Sequence, residues 1–217
     1  TGPEVHARGE WSFELSQWLR LTARLEFYGW WAEGVYRGPQ PTQTEGSPRD
    51  SDPLASQRII SVEDDNLTEI RPAAYFDFGI RPVKNLLLVP GVRADFYPGS
   101  DDVTIDPRFT VRYEITPATA VKGGVGLYSQ PPEYWQMIAA IGNPELEPYH
   151  ALQTSLGVEQ RVGKPLKLGV EAFYKRLWNR VVSTPTGGPP HFVNDGEGRI
   201  VGAEVSAEWA PPAGTFG

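Results

Sequence analysis

The densest binding chemistry in this chain lies in residues 130–143, where Gln130, two prolines and Glu133 lead into Tyr134, Trp135 and Gln136, with Asn143 closing the stretch. Flat rings beside amides and an acid suit a polar small molecule such as a siderophore or a sugar, because rings give contact area at low entropic cost and amides set direction. The same residues equally suit a loop packed on the rim of a sheet. A second set is charged: Arg71, Tyr75, Asp77, Arg93, Asp95, Arg112, Glu114, Lys122, Glu159 and Arg161 recur at alternate positions of extended segments. Residues so placed share a face, where each pairs with its cross-strand neighbours or meets a ligand. Catalytic chemistry is not indicated. His6, His150 and His191 lie far apart, and no Gly-x-Ser-x-Gly, His-Glu-x-x-His or phosphate-cradling glycine loop occurs. Asp50, Asp52, Asp64, Asp65, Asp101 and Asp102 lack the spacing of a calcium loop and read as solvated turns. No metal and no cofactor is expected.

The elements that position these residues are strands. In residues 106–132, Phe109, Val111, Tyr113 and Ile115 alternate with Arg108, Thr110, Arg112 and Glu114, which gives one apolar and one polar face. Pro117, Ala118 and Thr119 reverse the chain, and Val121, Val125 and Leu127 return opposite Lys122 and Tyr128. The pattern recurs. A first hairpin is expected over residues 4–36, turning near Gln17, and a second over residues 70–97, turning at 82–85. A fourth covers residues 152–178, turning at Gly163, Lys164 and Pro165, and a last strand covers residues 199–209. About nine strands result, with no convincing helix. Long loops are expected at 37–66, 129–149 and 185–198, and a shorter one at 98–105.

Composition bounds the class. The chain has 217 residues, 40% of them hydrophobic, no cysteine and a net charge of −7. That charge argues against nucleic acid as a partner. No run of eighteen apolar residues exists, so no transmembrane helix is expected; a spanning strand needs only about 9–11 residues, half of them polar, which is compatible with the mean hydropathy of −0.37. Thr1 and Gly217 read as cut ends of something longer.

Two architectures fit an all-β chain of this kind: an antiparallel transmembrane barrel and a soluble β-sandwich binding module. Short turns near 17, 83, 118 and 164 alternate with longer loops, as when all tight turns lie on one side of a membrane. Aromatics gather where strands meet the long loops, at Trp30, Trp31, Tyr36, Phe96, Tyr97, Tyr128, Trp135, Tyr149, Tyr174 and Trp178, with Trp18 and Trp209 near the other edge. A cation at mid-bilayer costs roughly 2–4 kcal/mol, so in a barrel the charged face must line the lumen. The fold expected is therefore an up-and-down transmembrane β-barrel, with residues 1–217 as part of one barrel domain in outer-membrane lipid. A small structural or adhesive barrel is the alternative within that class.

The ordered segments LLLVPGVRADFY, DPRFTVRYEITPATAVKGGVGLYSQPP, GNPELEPYHALQTSLGVEQRV, LKLGVEAFYKRLWNRVV and GRIVGAEVSAEW resemble the barrel of TonB-dependent outer-membrane receptors. The shared features are a strand opening on Asp-Pro-Arg, a Tyr-x-hydrophobic-Thr-Pro turn, a Gly-Asn-Pro-x-Leu-x-Pro loop exit and a late Gly-hydrophobic-Glu strand. Tyr149 departs from the family's usual Glu. Nothing in the sequence matches the family's plug domain or its TonB-contacting box, and the usual terminal aromatic is absent. The resemblance implies a bacterial outer-membrane location and a parent barrel of about twenty-two strands filled by a plug. It also implies partnership with that plug and the TonB system, and uptake of a scarce small-molecule ligand such as an iron–siderophore complex. On that reading Tyr134, Trp135, Gln136 and Asn143 overhang the mouth.

Overall fold

In the computed structural model, which describes residues 3–39, 59–139, 142–163, 165–184 and 190–210, the chain forms one antiparallel sheet. Its elements are β1 (Glu4–Ser16), β2 (Leu19–Pro39), β3 (Ile59–Val83), β4 (Leu86–Tyr97), β5 (Asp102–Glu114), β6 (Thr119–Gln130), α1 (Tyr134–Met137), β7 (Tyr149–Val162), β8 (Leu166–Ser183) and β9 (Phe192–Trp209). The nine strands follow sequence order across the sheet, each paired with its chain neighbours. Among the described residues β1 and β9 do not pair, so the sheet is not a closed small barrel, and no second sheet packs on it as a sandwich would require. It is an incomplete part of a larger barrel, as the edge groups of an open sheet would demand in lipid.

Register puts alternate residues on two unlike faces. Trp11↔Ala23↔Phe76↔Val92 and Phe109↔Val125↔Thr154↔Tyr174 run across one of them. On this apolar face Val205 is 80% exposed and Leu156 64%, values that make sense only where lipid is the solvent. Arg24↔Tyr75↔Arg93↔Asp106 and Arg112↔Lys122 cross the other face. All ten charged-face residues expected from the sequence share it.

Four expected boundaries are corrected. The loop expected at 37–66 is entered by both flanking strands, which pair as far as Pro39↔Ile59, with a bulge between Ala32 and Gly34. The one at 185–198 is shortened because β9 starts at Phe192, and Val182↔Val193 and Leu177↔Gly198 extend the ladder. Residues 98–105 reduce to a tight turn, since β5 begins at Asp102 and pairs Tyr97↔Asp102. The segment 129–149 keeps Ser129 and Gln130 in β6 and contains the helical turn α1. The physical reason is common to the strand extensions: beyond the lipid band both faces meet water, so pairing continues without the apolar alternation by which strands are read. Residues 40–58, including Asp50 and Asp52, lie outside the described residues, as do the side chains of Tyr36, Asp64 and Asp65.

The tight turns follow from their residues. Gly163 takes φ +65° in the β7–β8 turn, a left-handed conformation that glycine adopts without strain. Between β5 and β6, Thr116 accepts at Oγ1 from the amides of Ala118 (3.2 Å) and Thr119 (3.0 Å). No helix of the described residues is long and apolar enough to cross a membrane.

Candidate functional site, the charged face and its cap

The charged face is a lattice of ion pairs laid across strands. Arg93 on β4 grips Asp95 with Nε (2.7 Å) and Nη2 (2.8 Å) and reaches Glu26 on β2 with Nη1 (2.9 Å). It spans β3 because Ala73, paired with both Glu26 and Asp95, presents only a methyl group there. Arg24 continues the chain to Glu26 (3.5 Å) and donates to Glu10 on β1 (2.9 Å). Tyr75 carries guanidinium groups against its ring, Arg108 at 4.0 Å and Arg24 at 5.1 Å from the centroid, and its hydroxyl donates to Asp77. Asp77 in turn accepts two bonds from Arg108 Nη2, at 2.9 and 3.0 Å. Arg71 pairs with Glu69 (3.0 Å) and stacks over Tyr28.

A second cluster centres on Glu159 of β7. It accepts from Arg112 (2.8 Å) and faces Lys167 (3.4 Å) and Lys122 (3.6 Å), and Lys122 also binds Glu171 (2.6 Å). Glu114 lies 3.8 Å from Arg112, and Arg161 stands opposite Lys167 in the ladder. Between the clusters is an open recess of about 310 Å³, bordered by Tyr128, Phe173 and Lys175 over Gly124 and Gly126. Among the described residues no group of His, Asp and Glu side chains could hold a metal ion.

The long-loop end of the sheet is capped by the segment that follows β6. Glu133 and Gln136 form a capping box, in which the Glu133 amide donates to Gln136 Oε1 (2.8 Å) and the Gln136 amide to the Glu133 side chain, and the Gln136 amide also meets the Glu133 carbonyl (2.9 Å). The Asn143 amide then donates to the Gln136 carbonyl (2.7 Å), while its side chain donates to the Phe192 carbonyl (2.9 Å) and accepts from the Glu145 amide (3.0 Å). Gly142 sits so close to Gln136 that a Cβ there would lie 1.9 Å from its carbonyl oxygen. Trp135 meets Phe192 edge to face at 5.3 Å and, with Met137, packs on the buried cluster of Leu146, Val181 and Phe192. Tyr134 turns the other way, edge to face with Trp30 on β2 at 6.0 Å.

Of the four mouth residues expected from the sequence, three therefore hold the cap together. Gln136 is only 2% exposed. Tyr134 alone is directed at the wall of a distant strand. Sequence reading missed the partners across the gap, Asn179 and Asn194, which clamp Glu147. Asn194 accepts from the Glu147 amide (2.9 Å) and donates to the carbonyls of Glu147 (2.9 Å) and Asn179 (2.8 Å). Asn179 has φ +59° at the β8 register shift, and an asparagine in an otherwise alternating strand was the available signal.

The family profile for a TonB dependent receptor-like beta-barrel matches residues 4–217. The chain belongs to the TonB-dependent receptor β-barrel family. Such barrels are outer-membrane proteins, and they are receptors rather than enzymes. The receptor barrel is similar in structure to the siderophore receptor PirA of Pseudomonas aeruginosa, at TM-score 0.70 and 16% identity, covering 93% of this chain and 36% of that one. It is similar to the ferric enterobactin receptor PfeA of the same organism in complex with enterobactin, at TM-score 0.73 and 16% identity, covering 93% and 33%. The FrpB iron transporter of Neisseria meningitidis gives TM-score 0.67 at 13% identity, covering 96% and 34%. The chain thus spans about a third of the length of these structures, and at such identities the likeness is one of fold. Among curated protein sequences none matches the chain.

Proposed function

We propose that this receptor barrel segment is part of the wall of a transporter that takes up an iron–siderophore complex or a similarly scarce ligand, working with a plug domain and the TonB system. The observation that carries the reading is the lattice running from Glu10 to Glu171 across the charged face: so many fixed charges lining one side of a lipid-facing sheet suit a lumen occupied by another polar body. Receptors of siderophores and iron among the structural relatives support it.

In this proposal Arg71, Tyr75, Asp77, Arg93, Asp95, Arg112, Glu114, Lys122, Glu159 and Arg161 line the lumen. The long-loop end faces outward and the tight turns face the periplasm, the usual arrangement of such barrels. Tyr134 contacts the ligand, while Trp135, Gln136 and Asn143 hold the loop that presents it. In the full-length receptor, Tyr134→Ala should weaken binding of a ferric siderophore roughly tenfold with assembly unchanged, since an aromatic contact contributes about 1 kcal/mol or more beyond its area. Unchanged binding and uptake in that variant would move recognition away from the cap.

A further inference from the structure

On the apolar face, two arginines stand directly opposite each other: Arg176 on β8 pairs in register with Arg199 on β9, and both side chains are exposed. Tyr174 and Trp178 flank Arg176 on its own strand, and Trp178 meets the His150 ring at 5.5 Å. From the tight-turn end up to this level, the apolar face of the described strands carries no other charged side chain. Like charges placed opposite in a ladder repel, and neither arginine has an ion-pair or hydrogen-bond partner among the described residues. The nearest carboxylates on the same face, Glu197 and Asp195, lie further toward the loop and form no ion pair with either.

Height decides what these cations meet. Leu166 and Trp209 pair at the lower end, and Arg176 and Arg199 lie about ten residues further along each strand. At about 3.3 Å per residue and a tilt near 40°, that is a rise of roughly 25 Å, the thickness of the apolar band of an outer-membrane barrel. Trp209 then marks the lower border and Trp178 the upper. The pair sits at the outer headgroup level, where two guanidinium groups can hold phosphate oxygens bidentately while the rings rest in the interface.

We propose that Arg176 and Arg199 form a site on the outside of the barrel for the phosphate of an anionic lipid of the outer leaflet, with Tyr174 and Trp178 bracing its sugar or acyl portion. The bound phosphate removes the repulsion between the two strands, so the lipid also fastens β9 to β8. This rests on the orientation given above, in which the long-loop end faces outward.

The test uses the full-length receptor in neutral detergent, titrated with phosphorylated lipid A and followed by native mass spectrometry. Each basic residue near a charged headgroup is worth about fivefold, so Arg176→Gln with Arg199→Gln should weaken binding roughly thirtyfold. Dephosphorylated glycolipid should bind parent and variant alike, and Arg176→Lys with Arg199→Lys should keep most of the affinity. If the double glutamine variant fails to assemble, each single variant should still show about a fivefold loss. Equal lipid A affinity in parent and glutamine variants overturns the proposal. So does full competition by inorganic phosphate, which would make the pair an aqueous anion site. Orientation is read separately, by an impermeant thiol reagent on whole cells carrying Asp195→Cys: labelling only after permeabilisation would overturn the outward reading while leaving the phosphate result to stand on its own.

Discussion

Arg93 and Asp95, two residues apart on β4, close a two-pronged salt bridge at 2.7 and 2.8 Å that leaves the Asp95 side chain 9% exposed. Residues i and i+2 of a strand share a face, so the pair is preset by the backbone before any other strand arrives. Glu26 then completes it from β2 across the small side chain of Ala73.

Removing the cation should therefore destabilise more than removing an exposed ion pair would. Arg93→Ala leaves a nearly buried carboxylate with no charged partner, at a loss of about 1.5–3 kcal/mol. Urea unfolding of the full-length receptor in detergent checks it, with Arg20→Ala, whose partner Glu14 is exposed, expected to change stability by no more than about 1 kcal/mol.

Ala73 provides a steric version of the same test. Ala73→Leu should block the reach from Arg93 to Glu26 while keeping every charge, and lower the unfolding midpoint; an unchanged midpoint would mean the two-strand bridge contributes nothing.

The cap should loosen without loss of the barrel. Gln136→Ala strips the Glu133 amide of its acceptor, a change of about 1 kcal/mol. Limited proteolysis should cut within residues 131–148 faster, while the heat-modifiable mobility of the folded barrel stays the same. Gly142→Ala should act in the same direction through its clash with the Gln136 carbonyl.

Topology across the membrane is open to labelling. Cysteines introduced at Pro144 and Asp195 should react with an impermeant thiol reagent on intact cells, and those at Gln17 and Ala118 only after permeabilisation. The reverse pattern would invert the barrel.

How much was legible in the sequence follows from where lipid lies. Alternation in segments such as Phe109 to Ile115 exists because one face meets hydrocarbon and the other charge, so strand order, facing and the ten charged-face residues could be read directly. Outside the band that contrast vanishes, and the pairing of Arg37 with Ser61 or Val182 with Val193 left no periodic trace. The cap was half legible. Aromatics and amides marked residues 134–143 as special, but whether Trp135 served a ligand or a neighbour depended on Phe192, some sixty residues away, and on the Asn194 clamp, which only tertiary structure brings together.

Because, among the described residues, every strand is bonded only to its neighbours in sequence, this sheet shows no crossover that would tie distant parts of the gene together. A hairpin can be gained or lost with the remaining ladder repaired by its new neighbours, provided two strands go at once and the chain returns to the same side of the membrane. The ancestry of such a wall is therefore written in pairs, and its circumference is free to drift in steps of two while each hairpin keeps its own ion pairs and its own turn.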